Sequence, residues 1–131
     1  MQLIEINKIA AASQKISSLV RETECHKSNY FSKLFDTNVF LKREDQQIVK
    51  SFKIRGAYNK ILSLNKFELN RGLVCASAGN HAQGFALSCS YLQNKGTVFI
   101  PRSVPQLKVN RIKYFGKSFV EINIHGLNFY D

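Results

Sequence analysis

Long apolar runs are missing from this sequence, and nothing in it approaches the roughly 20 apolar residues that a bilayer span requires. The opening stretch, MQLIEINKIAAASQK, also lacks the apolar core of a secretory signal, because Glu5 and Lys8 interrupt it. A membrane role is therefore not expected, and a cytoplasmic location is the default. Cysteine is scarce. Cys25, Cys75 and Cys89 form an odd set with no C-x-x-C pair, which argues against a disulfide framework and against a cysteine-built zinc site. Cys75 and Cys89 lie in apolar segments and are expected to be buried, reduced thiols. The three histidines have no carboxylate at metal-ligand spacing, so no catalytic metal is expected.

Acidic residues are few. Nine of them face 19 lysines and arginines, giving a net charge of +10. A basic chain can bind nucleic acid. Here the cations are dispersed from Lys8 to Lys117, with no basic run, no zinc-finger spacing and no aromatic RNA-binding strand. The 11 asparagines point to a general compositional drift, and no nucleic-acid partner is expected. With 131 residues, 44% of them hydrophobic, the chain is of single-domain size. It carries no internal repeat and no low-complexity linker.

What is present is an alternation of periods. Residues 4–20 place Ile6, Ile9, Ala10, Ile16, Leu19 and Val20 at helical spacing. Residues 23–36 suggest one short helix with Tyr30, Phe31, Leu34 and Phe35 on its apolar face. Val39-Phe40-Leu41 then reads as a buried strand emptying into the charged cluster Lys42-Arg43-Glu44-Asp45. Ile54, Ala57, Tyr58, Ile61 and Leu62 mark a helix, with Ser51 as a plausible N-cap. A strand over 73–76, a helix carrying Ala82, Phe85, Ala86, Cys89 and Leu92, a strand over 97–100, a helix carrying Val109, Ile112 and Phe115, and a strand over 119–122 complete the order. Four strands alternating with three helices predict an α/β fold, a parallel sheet with flanking helices and right-handed crossovers. Ligands in such sheets bind at the carboxyl ends of the strands. Two loops fall there, 42–53 and 77–84.

In Ser77-Ala78-Gly79-Asn80-His81, Gly79 permits close approach of a ligand to the backbone, and the helix that follows aims free N–H groups at the loop. That suits a carboxylate or phosphate, although Ser77 and Asn80 could instead simply cap the helix. His81, one residue into the helix, could be a base or an ordinary exposed histidine. Lys53 begins a helix after Phe52. An amine that forms an imine must first be neutral, and a helix start favours that form, yet most lysines are solvated surface residues. Glu44 and Asp45 are adjacent, so on a strand they would point to opposite faces; they are expected to be solvated loop charges.

Taken together, three motifs in order carry a resemblance: Val39-Phe40-Leu41-Lys42-Arg43-Glu44-Asp45, Ser51-Phe52-Lys53-Ile54-Arg55-Gly56-Ala57, and Ala76-Ser77-Ala78-Gly79-Asn80-His81-Ala82-Gln83-Gly84. They resemble the threonine dehydratase family (threonine ammonia-lyases of the biosynthetic type) within the fold-type II, tryptophan synthase β-like pyridoxal-phosphate enzymes. Pro105-Gln106-Leu107-Lys108-Val109 and Phe115-Gly116-Lys117 extend the likeness, which covers most of residues 16–131. The resemblance implies that Lys53 holds pyridoxal 5'-phosphate covalently, that Phe52 lies against the cofactor ring and that Asn80 contacts its 3′ oxygen. It implies that Ser77, Ala78, Gly79, Asn80 and His81 hold the substrate carboxylate. The implied reaction is deamination of L-threonine to 2-oxobutanoate and ammonia, which feeds isoleucine synthesis, with a homo-oligomer as the full-length form. Serine dehydratases and serine racemases share these marks and remain the alternative, as does a non-catalytic truncated remnant. Two departures stand out. The family's Thr-Pro-Leu is Thr23-Glu24-Cys25 here, and its glycine-rich phosphate loop has no counterpart in residues 1–131. The chain is expected to be the N-terminal part of a catalytic domain, with the lysine and substrate loop but not the phosphate grip, and to be inactive by itself.

Overall fold

The alternation of periods from residue 73 onward produces three parallel strands and two crossover helices. A computed structural model describes residues 3–128. Strands β3 (Leu73–Ala76), β4 (Gly96–Ile100) and β5 (Val120–Ile124) pair in the order 3-4-5, and both pairings are parallel. Helix α5 (Asn80–Leu92) links β3 to β4, and α6 (Gln106–Gly116) links β4 to β5. The two helices pack on each other over one face of the sheet. Leu73, Cys75, Val98 and Ile100 point into that layer and are buried. Gly96 belongs there too, because a Cβ at this position would sit 2.8 Å from the Phe85 ring and 2.9 Å from Cys89 Sγ. The sheet's other face carries Val74 and Phe99, 70% and 38% exposed. Parallel sheets are ordinarily covered on both faces; this one is covered on one.

Before the sheet come α1 (Ile6–Ile16), β1 (Cys25–Lys27), α2 (Asn29–Leu34), β2 (Phe40–Lys42), α3 (Lys53–Leu62) and the five-residue α4 (Lys66–Asn70). α3 packs on α5 through Ile54, Ala57, Tyr58 and Ile61, and α1 packs on α3. The contact between α3 and α5 depends on Gly84. A Cβ there would lie 3.1 Å from the Ile54 backbone nitrogen and 3.2 Å from the Lys53 carbonyl carbon, tighter than ordinary contact, so a larger residue would press the two backbones apart by a few tenths of an ångström.

Several expectations need correction. The strand expected over 39–41 is not part of the parallel sheet. As β2 it pairs antiparallel with β1, Cys25 opposite Lys42, and Phe40 is 61% exposed, so an apolar run had been mistaken for burial. Among the described residues the sheet therefore has three strands rather than four. Residues 23–36 hold a strand followed by a helix, with the Ser28 side chain accepting from the Phe31 N–H as the N-cap, instead of one helix. α1 is shorter than the periodicity over 4–20. α4 was not anticipated, although Asn65 and Glu68 close a reciprocal capping box around its start. Ser51 does not cap α3: Phe52 occupies that position with helical dihedrals and no side-chain cap bond, and Ser51 Oγ is buried without a hydrogen-bond partner among the described residues. Among the described residues, no helix is long and apolar enough to cross a membrane.

Candidate functional site

Two helix starts meet where the motifs lie. α3 brings Lys53, and α5 brings the loop that precedes it from the carboxyl end of β3. Lys53 and Phe52 are both exposed. The Lys53 ammonium lies 4.9 Å from the centroid of the Phe52 ring, a cation–π arrangement within one dipeptide. Lys53 makes no ion pair among the described residues. Phe52, Lys53, Arg55, Gly56, Ala57 and His81 line one cleft of about 280 Å³. The structure thus brings Phe52, Lys53 and His81 together. Ser77, Ala78, Gly79 and Asn80 follow β3 but do not line that cleft.

The loop's geometry differs from simple capping. The N-cap of α5 is Gly79, with extended dihedrals and no side-chain cap bond. Ser77 Oγ instead accepts from the Gly79 N–H at 3.3 Å, within the loop, and Asn80 is already the first helical residue. The first N–H groups of a 13-residue helix are thus left without side-chain caps. A Cβ added at Gly79 would meet nothing within 4 Å, so space lies open above the loop. Ala78 is buried, Ser77 and Gly79 are half-buried, and Asn80 and His81 are exposed. Gln83, in the first turn of α5, is buried with its Oε1 unpartnered among the described residues.

Glu44 contradicts its reading as a solvated charge. Its carboxylate accepts from Arg55 Nε at 2.8 Å and Arg55 Nη2 at 2.7 Å, and from Thr23 Oγ1 at 2.7 Å. These bonds, Arg55's first, hold its pKa down at about 2 against the opposing effect of burial. Asp45 does fit the expectation: it is exposed and forks with its neighbour Arg43. The two thiols of the sheet layer are unsuited to nucleophilic work. Burial pushes Cys75 up to about 11 and Cys89 to about 12. Among the described residues, no group of three or more His, Cys, Asp or Glu side chains gathers to hold a metal ion.

Residues 16–130 match the family described as "Pyridoxal-phosphate dependent enzyme". The chain belongs to this family. Among pyridoxal-phosphate dependent enzymes it is similar to the biosynthetic L-threonine dehydratase of Halalkalibacterium halodurans, 49% identical over all of this chain and 32% of the relative. It is 43% identical to the corresponding Bacillus subtilis protein, over 98% of this chain and 31% of the relative. The chain thus spans about a third of the length of the curated relatives it matches. Its fold superposes on that of the processed form of threonine deaminase isoform 2 from Solanum lycopersicum, with a TM-score of 0.79, 31% identity, and coverage of 97% of this chain and 38% of the other. Maize serine racemase superposes at a TM-score of 0.88, with 29% identity over 99% of this chain and 39% of the other. These likenesses agree with the fold-type II assignment, and pyridoxal phosphate is the family's cofactor.

Residue-by-residue reading missed the partnership of Glu44 and Arg55 and the burial of Ser51 and Gln83. Eleven residues separate Glu44 from Arg55. Glu44 lies in a short turn and Arg55 in α3, so no single helix or strand links the pair and only the folded chain reveals it. Ser51 and Gln83 lay inside recognised motifs, where position in the motif was the available signal.

Proposed function

We propose that this chain is the lysine-bearing part of a pyridoxal-phosphate-dependent L-threonine ammonia-lyase. The carrying observation is the meeting of Lys53, at the start of α3, with Phe52 and His81 in one cleft beside the start of α5. The residues present suit the cofactor. An amine free of ion pairs stands beside an apolar ring that is 57% exposed, a flat surface available to a flat aromatic aldehyde. The open space over Gly79 leaves room for a ligand against backbone N–H groups.

In this reading Lys53 Nζ would be the group that holds pyridoxal phosphate. When bound, pyridoxal phosphate supplies an electron sink for the substrate α-carbon. The Lys53 amine would also be the base that accepts the substrate α-proton. Phe52 and Asn80 would help to hold the cofactor, Phe52 through its exposed apolar ring and Asn80 through its side-chain amide. The backbone of Ser77, Ala78, Gly79, Asn80 and His81 binds the substrate carboxylate, helped by the positive end of α5. L-threonine loses its α-proton and β-hydroxyl and, with water consumed and returned, becomes 2-oxobutanoate and ammonia.

The support for threonine over serine is the 49% and 43% identity to biosynthetic threonine dehydratases. The superposition on serine racemase favours a second reading, a serine-handling enzyme, and turnover of the two amino acids side by side separates them. The phosphate grip is a further part of the proposal: the family's glycine-rich loop is expected outside these residues, so the isolated 131-residue chain should not deaminate threonine.

The test starts from the intact mass of the protein as its own cell makes it. In the complete protein, borohydride reduction should fix pyridoxal phosphate on the peptide containing Lys53. Lys53→Ala should abolish that mass addition and lower 2-oxobutanoate production by at least about a thousandfold, as removal of a covalent and proton-transferring group does. Threonine deamination persisting in Lys53→Ala would refute the proposal.

A further inference from the structure

α3 begins without a cap of its own. Phe52 offers no side-chain bond, and Ser51 Oγ has no partner among the described residues. A helix start of this kind leaves its first turn without a side-chain cap, with only the Arg55 N–H turned back to the Phe52 carbonyl at 3.0 Å, and depends on tertiary contacts to hold its direction. On one side the contact is the glycine meeting with α5. On another it is Arg55, whose guanidinium forks onto Glu44 through two near-parallel bonds of 2.7 and 2.8 Å.

Glu44 itself is braced from three directions. Thr23 Oγ1 donates to Oε1 at 2.7 Å, and Gln47 Nε2 approaches Oε2 at 3.4 Å. Gln47 is fully buried; its amide nitrogen donates to the Arg21 carbonyl at 2.8 Å, and its amide oxygen accepts from the Arg21 N–H at 3.1 Å. The Lys42 ammonium donates to the Thr23 carbonyl. The segment before β1, the turn after β2 and the first turn of α3 are therefore joined at one carboxylate. Residues two apart on a helix point about 200° from each other. Arg55 therefore leaves the helix in a different direction from Lys53, and although it shares the lining of their cleft its guanidinium is turned onto Glu44, where it can fix the helix's rotation.

We infer that Glu44 is a positioning residue for Lys53: by holding Arg55 it sets the rotation and direction with which α3 presents the lysine to its cleft. This rests on the reading that Lys53 carries the cofactor. Misplacement of a reacting group by about 1 Å can lower a rate a hundredfold, so a loosened grip should be seen in the chemistry even when the fold survives.

The experiment separates positioning from stability. The double variant Glu44→Leu/Arg55→Met, made in the complete protein, removes both charges together and leaves neither one buried alone, the change that tends to preserve stability. Melting temperature, kcat and KM for threonine, and the rate at which Lys53 captures added pyridoxal phosphate in the cofactor-free protein are measured on one preparation. A melting temperature near that of the unaltered protein is expected, with kcat and the capture rate each lowered at least about tenfold and KM changed by less than about threefold. Arg55→Lys, which keeps the charge but loses the fork, should show a smaller loss of the same pattern and serves where the double variant does not fold. Glu44→Asp should recover part of the capture rate lost in Glu44→Leu. A stable double variant with unaltered kcat and capture rate would overturn the assignment, as would losses across the series that follow melting temperature alone. Failure of the unaltered protein to capture pyridoxal phosphate on Lys53 would instead strike down the functional proposal beneath it.

Discussion

Glu44 is the residue whose behaviour departs most from its local sequence. Among neighbours Lys42, Arg43 and Asp45 it reads as one more solvated charge, yet its side chain is only 16% exposed and its partner lies eleven residues on. Its folded pKa, about 2, lies below the ordinary value of 4.5. The unfolded chain therefore takes up a proton at higher pH than the folded one does. The stabilisation is complete above about pH 5 and is lost as pH falls toward 2. Its size is on the order of 1 to 3 kcal/mol, discounted for the partial exposure of Arg55. Glu44→Gln should lower unfolding free energy by that order at pH 7, and the difference from the unaltered protein should shrink steadily between pH 5 and 2. Urea unfolding at a series of pH values checks this; a difference independent of pH would contradict it. Lys53 and the loop Ser77-Ala78-Gly79-Asn80-His81 were singled out by motif order, and the structure sets them at the starts of α3 and α5, while the roles given to them belong to the proposal. Their side-chain roles were not legible from local physics, since a lysine at a helix start and a serine before one each have ordinary explanations.

At the level of elements, β3, β4 and β5 were legible to within two residues, and α5 and α6 through the apolar stripes they carry, because each has a strong period and a turn on either side. The failures share a cause: brevity. β1 and β2 have three residues each and α4 has five, too few for a period to show. Pairing between strands is also decided by partners that sequence does not reveal, so the antiparallel pair of β1 and β2 could not be told from a fourth parallel strand. β4 offers a direct check of the packing that periodicity did reveal. Gly96→Ala would set a methyl 2.8 Å from the Phe85 ring and 2.9 Å from Cys89 Sγ, both buried. Overpacking of this kind costs about 1–3 kcal/mol, and the urea midpoint should fall accordingly without a change in the denaturant slope. Gly96→Ala with an unchanged midpoint would mean that α5 stands farther from β4 than described.

Across the whole molecule, the imbalance between the sheet's two faces stands out. One face is packed by α5 and α6, and the other presents Val74, Ala76, Thr97, Phe99, Glu121 and Asn123. Parallel strands buried on both sides tend to be continuously apolar. The mixed sequence of β5, VEINI, is consistent with its position at an edge. An open face with an aliphatic and an aromatic side chain is an association hazard in water. Val74→Lys should raise the concentration at which the isolated 131-residue chain stays monomeric in sedimentation velocity, with its far-ultraviolet circular dichroism unchanged. No gain in monomer would show that aggregation proceeds through another surface, such as the exposed rings of α2.

The backbone meeting at Gly84 has a mechanical consequence. At this one point the backbone of α5 stands nearly against the Lys53–Ile54 peptide, so displacement of one helix toward the other is passed on directly, like load through a bearing. Under the proposed function, a pull on the loop ahead of α5 would therefore be felt at the backbone that carries Lys53.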